Sequence, residues 1–249
     1  MNNYNPYSLD GMTILITGAS SGIGRATAIE CSKLGANVIL VARNEERLKI
    51  VLNELEGEGH EYVSCDLTSF ESVFEMVDTL PLLDGVVLNA GITKLSPISF
   101  LKEDDLDSTF ALNTKSPILT FQKLAKKRKL KKGCSVVFTS SIAGLGAAAV
   151  GEAAYMASKG AISAFVKGAA LEMSRKGVRV NAVCPGMVQT EMIDAYGLDE
   201  DNNPDLANYP LGRYGQPKDI ALAIIYLLSD ASSWVTGSNL IIDGGLTIK

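Results

Sequence analysis

Short apolar runs rich in β-branched residues alternate with segments of helical periodicity along almost the whole chain. Seven runs predict strands, at Thr13–Thr17, Asn37–Ala42, Tyr62–Cys65, Gly85–Leu88, Ser135–Thr139, Arg179–Val183 and Asn239–Ile242. The segments between them predict helices, at Ile23–Leu34, Glu45–Leu55, Phe70–Leu80, Asp104–Lys126, Glu152–Arg175 and Pro217–Leu228. Continuously apolar strands are typical of a parallel sheet buried on both faces. We therefore predict one doubly wound α/β domain over residues 1–249, with a seven-stranded parallel sheet and helices on both faces.

The composition excludes several classes of site. The formal net charge of −5 argues against nucleic-acid binding, which is typical of basic domains. The single histidine, His60, excludes a metal site that needs two, and no metal is predicted. Four cysteines lie far apart, without a C-x-x-C motif, and are predicted to be reduced core residues: Cys31, Cys65, Cys134 and Cys184.

The hydropathy of the chain gives no sign of targeting or of membrane insertion. The N-terminal stretch MNNYNPYSLDG lacks the basic and apolar regions of a signal peptide. The longest apolar run, Ile220–Leu228, is about half as long as a segment that spans a bilayer. We expect a cytoplasmic protein that does not cross a membrane.

A glycine-rich turn follows the first predicted strand and opens the first predicted helix. Gly18, Gly22 and Gly24 form the pattern G-x-x-x-G-x-G. Glycine lets backbone amides approach a pyrophosphate, and the amino end of a helix favours its negative charge. An ordinary strand–helix turn is the alternative. The position at the first βα junction favours a dinucleotide site in a Rossmann-type fold.

The glycine spacing and further landmarks resemble those of the short-chain dehydrogenases/reductases. The landmarks are TGASSGIG, CDLT at 65–68, NAG at 89–91, LN at 112–113, SS at 140–141, YMASK at 155–159, PGMVQT at 185–190 and IDGG at 242–245. The resemblance implies an oxidoreductase with a nicotinamide cofactor. It implies cofactor contacts from Gly18, Ser20, Ser21, Gly22, Ile23, Gly24, Arg43, Asp66, Leu67, Asn89, Gly91, Tyr155, Lys159, Pro185, Gly186, Val188 and Thr190.

The end of the second predicted strand bears on which cofactor is used. Arg43 stands near the position where an acidic residue would bind the ribose hydroxyls of NAD. An arginine there accommodates the 2′-phosphate of NADP instead. A solvated arginine in the first helical turn is the alternative. The sequence favours NADP(H).

Tyr155 and Lys159 lie one helical turn apart in AAYMASKGA and so project from one face. We expect the ammonium to lower the pKa of the phenol and so to suit it to proton transfer near neutral pH. The resemblance implies that Lys159 also contacts the nicotinamide ribose, that Ser141 holds the substrate oxygen, and that Asn113 holds a water in a proton relay. Ser141 is one residue further from Tyr155 than is usual in the family, which we interpret as a longer loop within GLGAAAVGEAA that borders the substrate. Ser140, which is one residue further away still, is the competing candidate.

Residues 191–212, after Thr190, occupy the position of the family's variable substrate lid. The lid and the preceding Met187 combine acidic and apolar side chains, among them Glu191, Met192, Ile193, Tyr196, Asp199, Glu200 and Asp201. The apolar residues fit an acyl or other largely hydrocarbon substrate. They could equally serve to pack the lid onto the protein.

A basic run, KKRKLKK at Lys126–Lys132, is predicted to close the helix before the fifth strand. A solvated helix end is the ordinary interpretation. Docking of an acidic acyl carrier protein is the main alternative, and nucleic acid is disfavoured by the acidic total. The run and the C-terminal segment resemble those of 3-oxoacyl-[acyl-carrier-protein] reductases.

These features predict NADPH-dependent reduction of a ketone to a secondary alcohol, with a 3-oxoacyl thioester of fatty acid synthesis as the expected substrate. A sugar, steroid or small ketone is the alternative substrate, and a non-catalytic NADP-sensing protein is the alternative from another class. The complete Asn–Ser–Tyr–Lys set favours an enzyme. The resemblance also implies a homotetramer, in which a face of small residues packs across a symmetry axis: Ala157, Gly160, Ala161, Ala164 and Gly168.

Overall fold

The alternating runs form one sheet of seven parallel strands in the computed structural model, which describes residues 4–194 and 204–249. The strands are β1 (Thr13–Thr17), β2 (Asn37–Ala42), β3 (Glu61–Ser64), β4 (Leu83–Leu88), β5 (Leu130–Thr139), β6 (Arg179–Pro185) and β7 (Asn239–Ile242). The helices are α1 (Gly22–Lys33), α2 (Glu45–Leu52), α3 (Phe70–Thr79), α4 (Glu103–Phe110), α5 (Ser116–Lys126), α6 (Ala153–Ser174), α7 (Glu191–Asp194) and α8 (Pro217–Leu228). The strand order is β3-β2-β1-β4-β5-β6-β7, which confirms the predicted doubly wound, Rossmann-type fold.

Both faces of the sheet are covered, because successive residues of the central strands pack into different cores. Leu15 of β1 packs with residues of α3, α5 and α6, whereas its neighbours Ile14 and Ile16 pack with residues of α1, α2 and α8. The four cysteines are buried and unpaired, as predicted. None of the helices in the described part of the chain is long and apolar enough to cross a bilayer.

Three phenylalanines fix α5 and α6 against β5. Phe121, Phe138 and Phe165 contact one another edge-to-face, with ring centroids 5.7 to 6.2 Å apart. Each such contact stabilises the packing by about 0.5–1.5 kcal/mol beyond the area it buries. This cluster sets the position of α6, the helix that carries Tyr155 and Lys159.

The fifth strand begins at Leu130, five residues earlier than predicted. Leu130 pairs with Leu83 of β4, across an irregularity in the register. The basic run is therefore not only a helix end. Lys126 closes α5, whereas Leu130, Lys131 and Lys132 already belong to β5.

Candidate active site

A cleft of about 800 Å³ opens beyond the carboxyl ends of β1, β2, β4, β5 and β6, where ligands bind in doubly wound folds. Most predicted site residues line it: Gly18, Ser20, Ser21, Gly22, Ile23, Arg43, Leu67, Asn89, Gly91, Ser141, Tyr155, Lys159, Pro185, Gly186, Val188 and Thr190. Gly24, Asp66 and Asn113 are not part of its wall.

Glycine shapes the turn between β1 and α1. Gly18 and Gly22 have φ values of +67° and +51°, which residues with side chains rarely adopt. A Cβ on Gly24 would lie 2.2 Å from the carbonyl oxygen of Gly18, so Gly24 lets α1 pack tightly behind the turn. The N-cap residue Ser21 makes no side-chain capping bond to the first amides of α1. Those amides are placed to bind a phosphate group, and the turn fits the pyrophosphate of a dinucleotide.

Asn89 ties three strand ends together beside this turn. Its main-chain N–H donates to Thr17 Oγ1 at 3.0 Å, and its Nδ2 donates to the Thr17 carbonyl at 3.3 Å. Thr139 Oγ1 donates to Asn89 Oδ1 at 3.2 Å. Asn89 therefore fixes the ends of β1, β4 and β5 relative to one another as well as lining the cleft.

Two arginines near the end of β2 line the cleft. Arg43 is exposed, and the described residues place no carboxylate within ion-pair distance of its guanidinium. Arg47, four residues later, forms a 2.7 Å ion pair with Glu191 of α7. Arg47 was not among the predicted site residues; it lies in the first turn of α2, four residues after Arg43, which precedes that helix.

Asp66 lies outside the cleft wall, and its carboxylate is held by its own loop. Thr68 donates to Asp66 Oδ1 from its main-chain N–H at 2.9 Å and from its hydroxyl at 2.7 Å. These two hydrogen bonds, with a smaller contribution from Arg43, lower the pKa of Asp66. The expected contact of Asp66 with the cofactor therefore stays a prediction, whereas Leu67 lines the cleft.

Ser140 and Ser141 follow β5 and have different partners. Both serines line the cleft, and the hydroxyl of Ser141 interacts with the phenol of Tyr155. Ser140 Oγ donates to the Lys159 carbonyl at 2.9 Å and lies 2.8 Å from the hydroxyl of Ser163. Ser140 therefore holds α6 from behind, and Ser141 is the serine beside Tyr155.

The loop between Ser141 and Tyr155 contains a 3-10 turn over Ile142–Leu145 that packs against α6. A Cβ on Gly144 would lie 2.6 Å from the carbonyl carbon of Lys159, so this close approach requires glycine. The additional residue is thus accommodated in the loop without separating Ser141 from Tyr155.

Lys159 is buried beneath the cleft. Its Nζ donates to the Thr139 carbonyl at 2.8 Å and lies 5.8 Å from the centroid of the Tyr155 ring. Burial lowers the pKa of Lys159 to about 8. Burial also raises the pKa of Tyr155, to about 12. The hydrogen bond with Ser141 opposes this upward shift, and the charge of Glu152 adds to it. The expected lowering of the Tyr155 pKa is therefore wrong in this structure, because desolvation of the phenol dominates.

Asn113 sits behind the cleft in a π-helical turn, Ala111–Lys115, that joins α4 to α5. Its Oδ1 accepts from the Ile92 N–H at 2.8 Å, and its Nδ2 donates to the Ile92 carbonyl at 2.8 Å and to Ser158 Oγ at 3.1 Å. Ser158 Oγ donates in turn to the Tyr155 carbonyl at 2.7 Å. Both amide hydrogens of Asn113 are thus used to hold neighbouring segments in place. A water would have to bind one of the oxygen atoms of Asn113, and this expected role stays a prediction.

The described parts of the predicted lid border the cleft. Thr190 lies over the glycine turn, where its Cγ2 would be 3.3 Å from a Cβ on Gly22. Ile193 and Tyr209 line the cleft. Residues 195–203 lie outside the described residues, and with them the predicted lid residues Tyr196, Asp199, Glu200 and Asp201.

The loop between Ser141 and Tyr155, which is predicted to border the substrate, contributes Ala147, Ala148, Ala149 and Glu152 to the cleft wall, whereas Leu95 and Leu246 line the cleft without having been predicted. Glu152 lies three positions before Tyr155, a spacing that could have indicated a shared helical face. In residues 4–194 and 204–249, no three or more His, Cys, Asp or Glu side chains cluster in a way that could hold a metal.

Known proteins share this architecture. A family model described as "Enoyl-(Acyl carrier protein) reductase" matches residues 18–247. The 3-oxoacyl-[acyl-carrier-protein] reductase FabG of Rickettsia bellii is 37% identical over 238 residues, which cover 96% of this chain and 98% of the relative. A short-chain type dehydrogenase/reductase from Mycobacterium marinum matches with a TM-score of 0.90 and 31% identity over 98% of each chain. A provisionally named 2-deoxy-d-gluconate 3-dehydrogenase from Agrobacterium tumefaciens, with bound NADP, has a TM-score of 0.87 and 30% identity, covering 99% of this chain and 100% of that one.

The family model, the curated relative and the solved structures each span nearly the whole chain. The glycine turn and the Ser141–Tyr155–Lys159 group lie within the matched residues and line the same cleft. The chain therefore belongs to the short-chain dehydrogenases/reductases, and it is an oxidoreductase that uses a nicotinamide cofactor and acts on ketone or alcohol groups.

Proposed function

We propose that the protein uses NADPH to reduce the ketone of a 3-oxoacyl thioester, carried on acyl carrier protein, to a secondary alcohol. The observation that carries this proposal is the meeting of the Ser141 and Tyr155 hydroxyls at the wall of the cleft, with Lys159 buried behind them. The name of the Rickettsia bellii relative supports this choice of substrate.

Tyr155 is the proton donor in this proposal. When bound, the dihydronicotinamide supplies the hydride that reaches the carbonyl carbon. The Tyr155 hydroxyl gives its proton to the carbonyl oxygen as negative charge develops there, and Ser141 donates a hydrogen bond to the same oxygen. The raised pKa of Tyr155 keeps the phenol protonated at neutral pH, which is the form that reduction requires.

Lys159 restores the proton that Tyr155 gives up. Burial brings its pKa to about 8, so it is charged at neutral pH and releases a proton more readily than an exposed lysine. Its charge also favours the transient phenolate. The family resemblance adds a contact between Lys159 and the ribose beside the nicotinamide.

The choice of NADP(H) rests on Arg43. Its exposed guanidinium lines the cleft and has no carboxylate within ion-pair distance in the described chain, so it can bind a 2′-phosphate. The NADP bound to the Agrobacterium tumefaciens protein supports the same choice.

A basic surface is the proposed docking site for the acidic carrier. Three cations of the run have internal partners, because Lys127 and Lys131 pair with Asp78 and Asp84, and Lys129 donates to main-chain carbonyls. Arg128 and Lys176 flank a separate, largely apolar pocket of about 280 Å³ at the amino end of β5. We assign docking to these two cations together with Lys126 and Lys132.

The position of this basic surface has a consequence for assembly. It lies at the start of the ten-residue strand β5, whereas the cleft lies beyond its end, and ten extended residues span roughly 30 Å. We propose that a carrier docked there delivers its acyl chain to the cleft of a neighbouring subunit, because the docking surface and the cleft of one subunit lie at opposite edges of the sheet.

A homotetramer is part of the proposal. Ala157, Ala164 and Gly168 leave part of α6 exposed and free of large side chains, which permits close packing of a second helix. β7 is an edge strand with an exposed Ile241, and the nearby Trp234 is fully exposed. Exposed apolar groups at a sheet edge are typical of an interface between subunits.

A substrate panel tests the proposed reaction. NADPH oxidation is measured with carrier-bound and pantetheine-bound 3-oxobutanoyl thioesters, keto sugars, steroids and small ketones, with the Tyr155→Phe variant as the control for background oxidation. We expect the thioesters to have the highest kcat/KM. A keto sugar that exceeds them would replace the proposed substrate.

A sugar-acid dehydrogenase is the second candidate. The match to the provisionally named 2-deoxy-d-gluconate 3-dehydrogenase favours it. The panel distinguishes the two candidates directly.

A further inference from the structure

Small and apolar side chains line part of the cleft that also holds Tyr155. Ala147, Ala148 and Ala149 come from the loop that precedes α6, and Leu95 comes from the segment after β4. The two segments are joined by a hydrogen bond of 2.9 Å from the Ser96 N–H to the Gly151 carbonyl. This wall suits the hydrocarbon part of a substrate.

Glu152 is the charged exception on that wall. It immediately precedes α6, one helical turn before Tyr155, and its half-buried side chain lines the cleft. Its carboxylate makes no capping hydrogen bond and no hydrogen bond or ion pair with any residue in 4–194 or 204–249. Burial raises the pKa of Glu152, and the charge of Glu152 raises the pKa of Tyr155, so the two groups interact electrostatically.

No other charged group among the described residues of the cleft pairs with the carboxylate of Glu152. Arg47 pairs with Glu191, Arg43 lies at the end of β2, and Lys159 donates to the Thr139 carbonyl. None of these cations forms an ion pair with Glu152. Within the described chain, the carboxylate of Glu152 therefore has no cationic partner one helical turn from the proton donor.

We propose that Glu152 is a specificity-determining residue that admits electrically neutral 3-oxoacyl compounds and rejects the corresponding free 3-oxo acids. The inference rests on the proposed function, because it assumes that the ketone oxygen meets Tyr155. In a free 3-oxo acid the carboxylate is two bonds from the ketone carbon, so productive binding brings it close to Glu152. Like charges at such a distance in a partly dehydrated cleft repel, whereas a thioester or ester places no charge there.

A matched pair of substrates tests this inference. Values of kcat/KM are measured at neutral pH for methyl 3-oxobutanoate and for free 3-oxobutanoate, which share one ketone and differ in charge. For the wild-type protein we expect a strong preference for the ester. Glu152→Gln should reduce the ester-to-acid ratio at least about tenfold, chiefly by improving the acid, and Glu152→Lys should reduce it further.

Glu172→Gln is the matched control, because it removes a carboxylate from an exposed position of the same helix and should leave the ratio unchanged. A wild-type protein that reduces ester and acid equally well would overturn the inference. An unchanged ester-to-acid ratio in both Glu152 variants, with normal circular dichroism and NADPH binding, would also overturn the inference. Glu152 would then have only a structural role at the start of α6. The comparison of ester and acid uses no carrier-bound thioester. The inference about Glu152 can therefore fail while the proposed thioester reduction stands, and the thioester reduction can fail while the inference about Glu152 stands.

Discussion

Lys159 donates a hydrogen bond of 2.8 Å from its ammonium to the carbonyl oxygen of Thr139, the last residue of β5. The charge is therefore held by a backbone dipole at the end of a buried strand, beneath the cleft and away from bulk water. This burial is what lowers the pKa of Lys159 to about 8. The acid–base behaviour of the site consequently depends on how α6 is packed against β5.

The first prediction concerns the pH dependence of reduction. Lys159 carries its proton below about pH 8 and is neutral above it, because its pKa is lowered from the ordinary value of 10.5. If Lys159 resupplies Tyr155, kcat for reduction should fall as the pH rises through about 8. Lys159→Ala should have lower turnover and weaker NADPH binding, and the step near pH 8 should be missing from its profile. A wild-type profile that is flat from pH 7 to 9.5 would exclude this role.

Tyr155→Phe keeps the ring and its packing but removes the hydroxyl that faces Ser141. We expect turnover to fall by about 10²–10⁴-fold, as is typical for the loss of a general acid, with NADPH affinity nearly unchanged. Steady-state kinetics and fluorescence titration of NADPH measure the two effects separately. Near-normal turnover in this variant would contradict the proposed mechanism.

The fold could be predicted from the sequence because a parallel sheet buried on both faces requires apolar strands and a strict alternation with helices. The Gly18–Gly24 turn was recognisable because its backbone geometry demands glycine. The start of β5 was not, because Lys131 and Lys132 join the strand only through its pairing with β4. The polar sequence at Lys131 and Lys132 favours a loop, and the pairing of β5 with β4 overrides that local preference.

Parts of the site also lay beyond sequence reasoning. The resemblance indicated Ser141 and left Ser140 as the competitor, and only the structure distinguishes them, because Ser141 interacts with Tyr155 whereas Ser140 donates to the Lys159 carbonyl. The direction of the Tyr155 pKa shift was predicted wrongly from its spacing to Lys159. A sequence gives the charges near a group but not how far that group is removed from water, and desolvation dominates here.

Cofactor preference should depend on Arg43. Arg43→Asp replaces a cation that can pair with the 2′-phosphate by an anion that repels it, so the ratio of kcat/KM for NADPH to that for NADH should fall by at least about tenfold. Lys49→Asp is a matched control, because it reverses an exposed charge on α2 that does not line the cleft. A ratio that hardly moves in the Arg43 variant would exclude this residue as the determinant.

The last prediction concerns assembly through α6. Gly168 is exposed, and a Cβ placed on it would meet no atom within 4 Å, so a larger side chain fits the isolated subunit. Arginine also has a higher helix propensity than glycine, by roughly 0.5–1 kcal/mol, so Gly168→Arg should not weaken the folded chain itself. Across a symmetry axis, however, the same side chain would separate two closely packed helices and bring two positive charges together. We therefore expect wild-type protein to sediment as a tetramer at micromolar concentration and Gly168→Arg to sediment as a smaller species with unchanged far-ultraviolet circular dichroism. Glu75→Arg, at an exposed position of α3, should stay tetrameric. A monomeric wild-type protein, or a Gly168→Arg variant that remains a tetramer, would show that this face of α6 is not an interface.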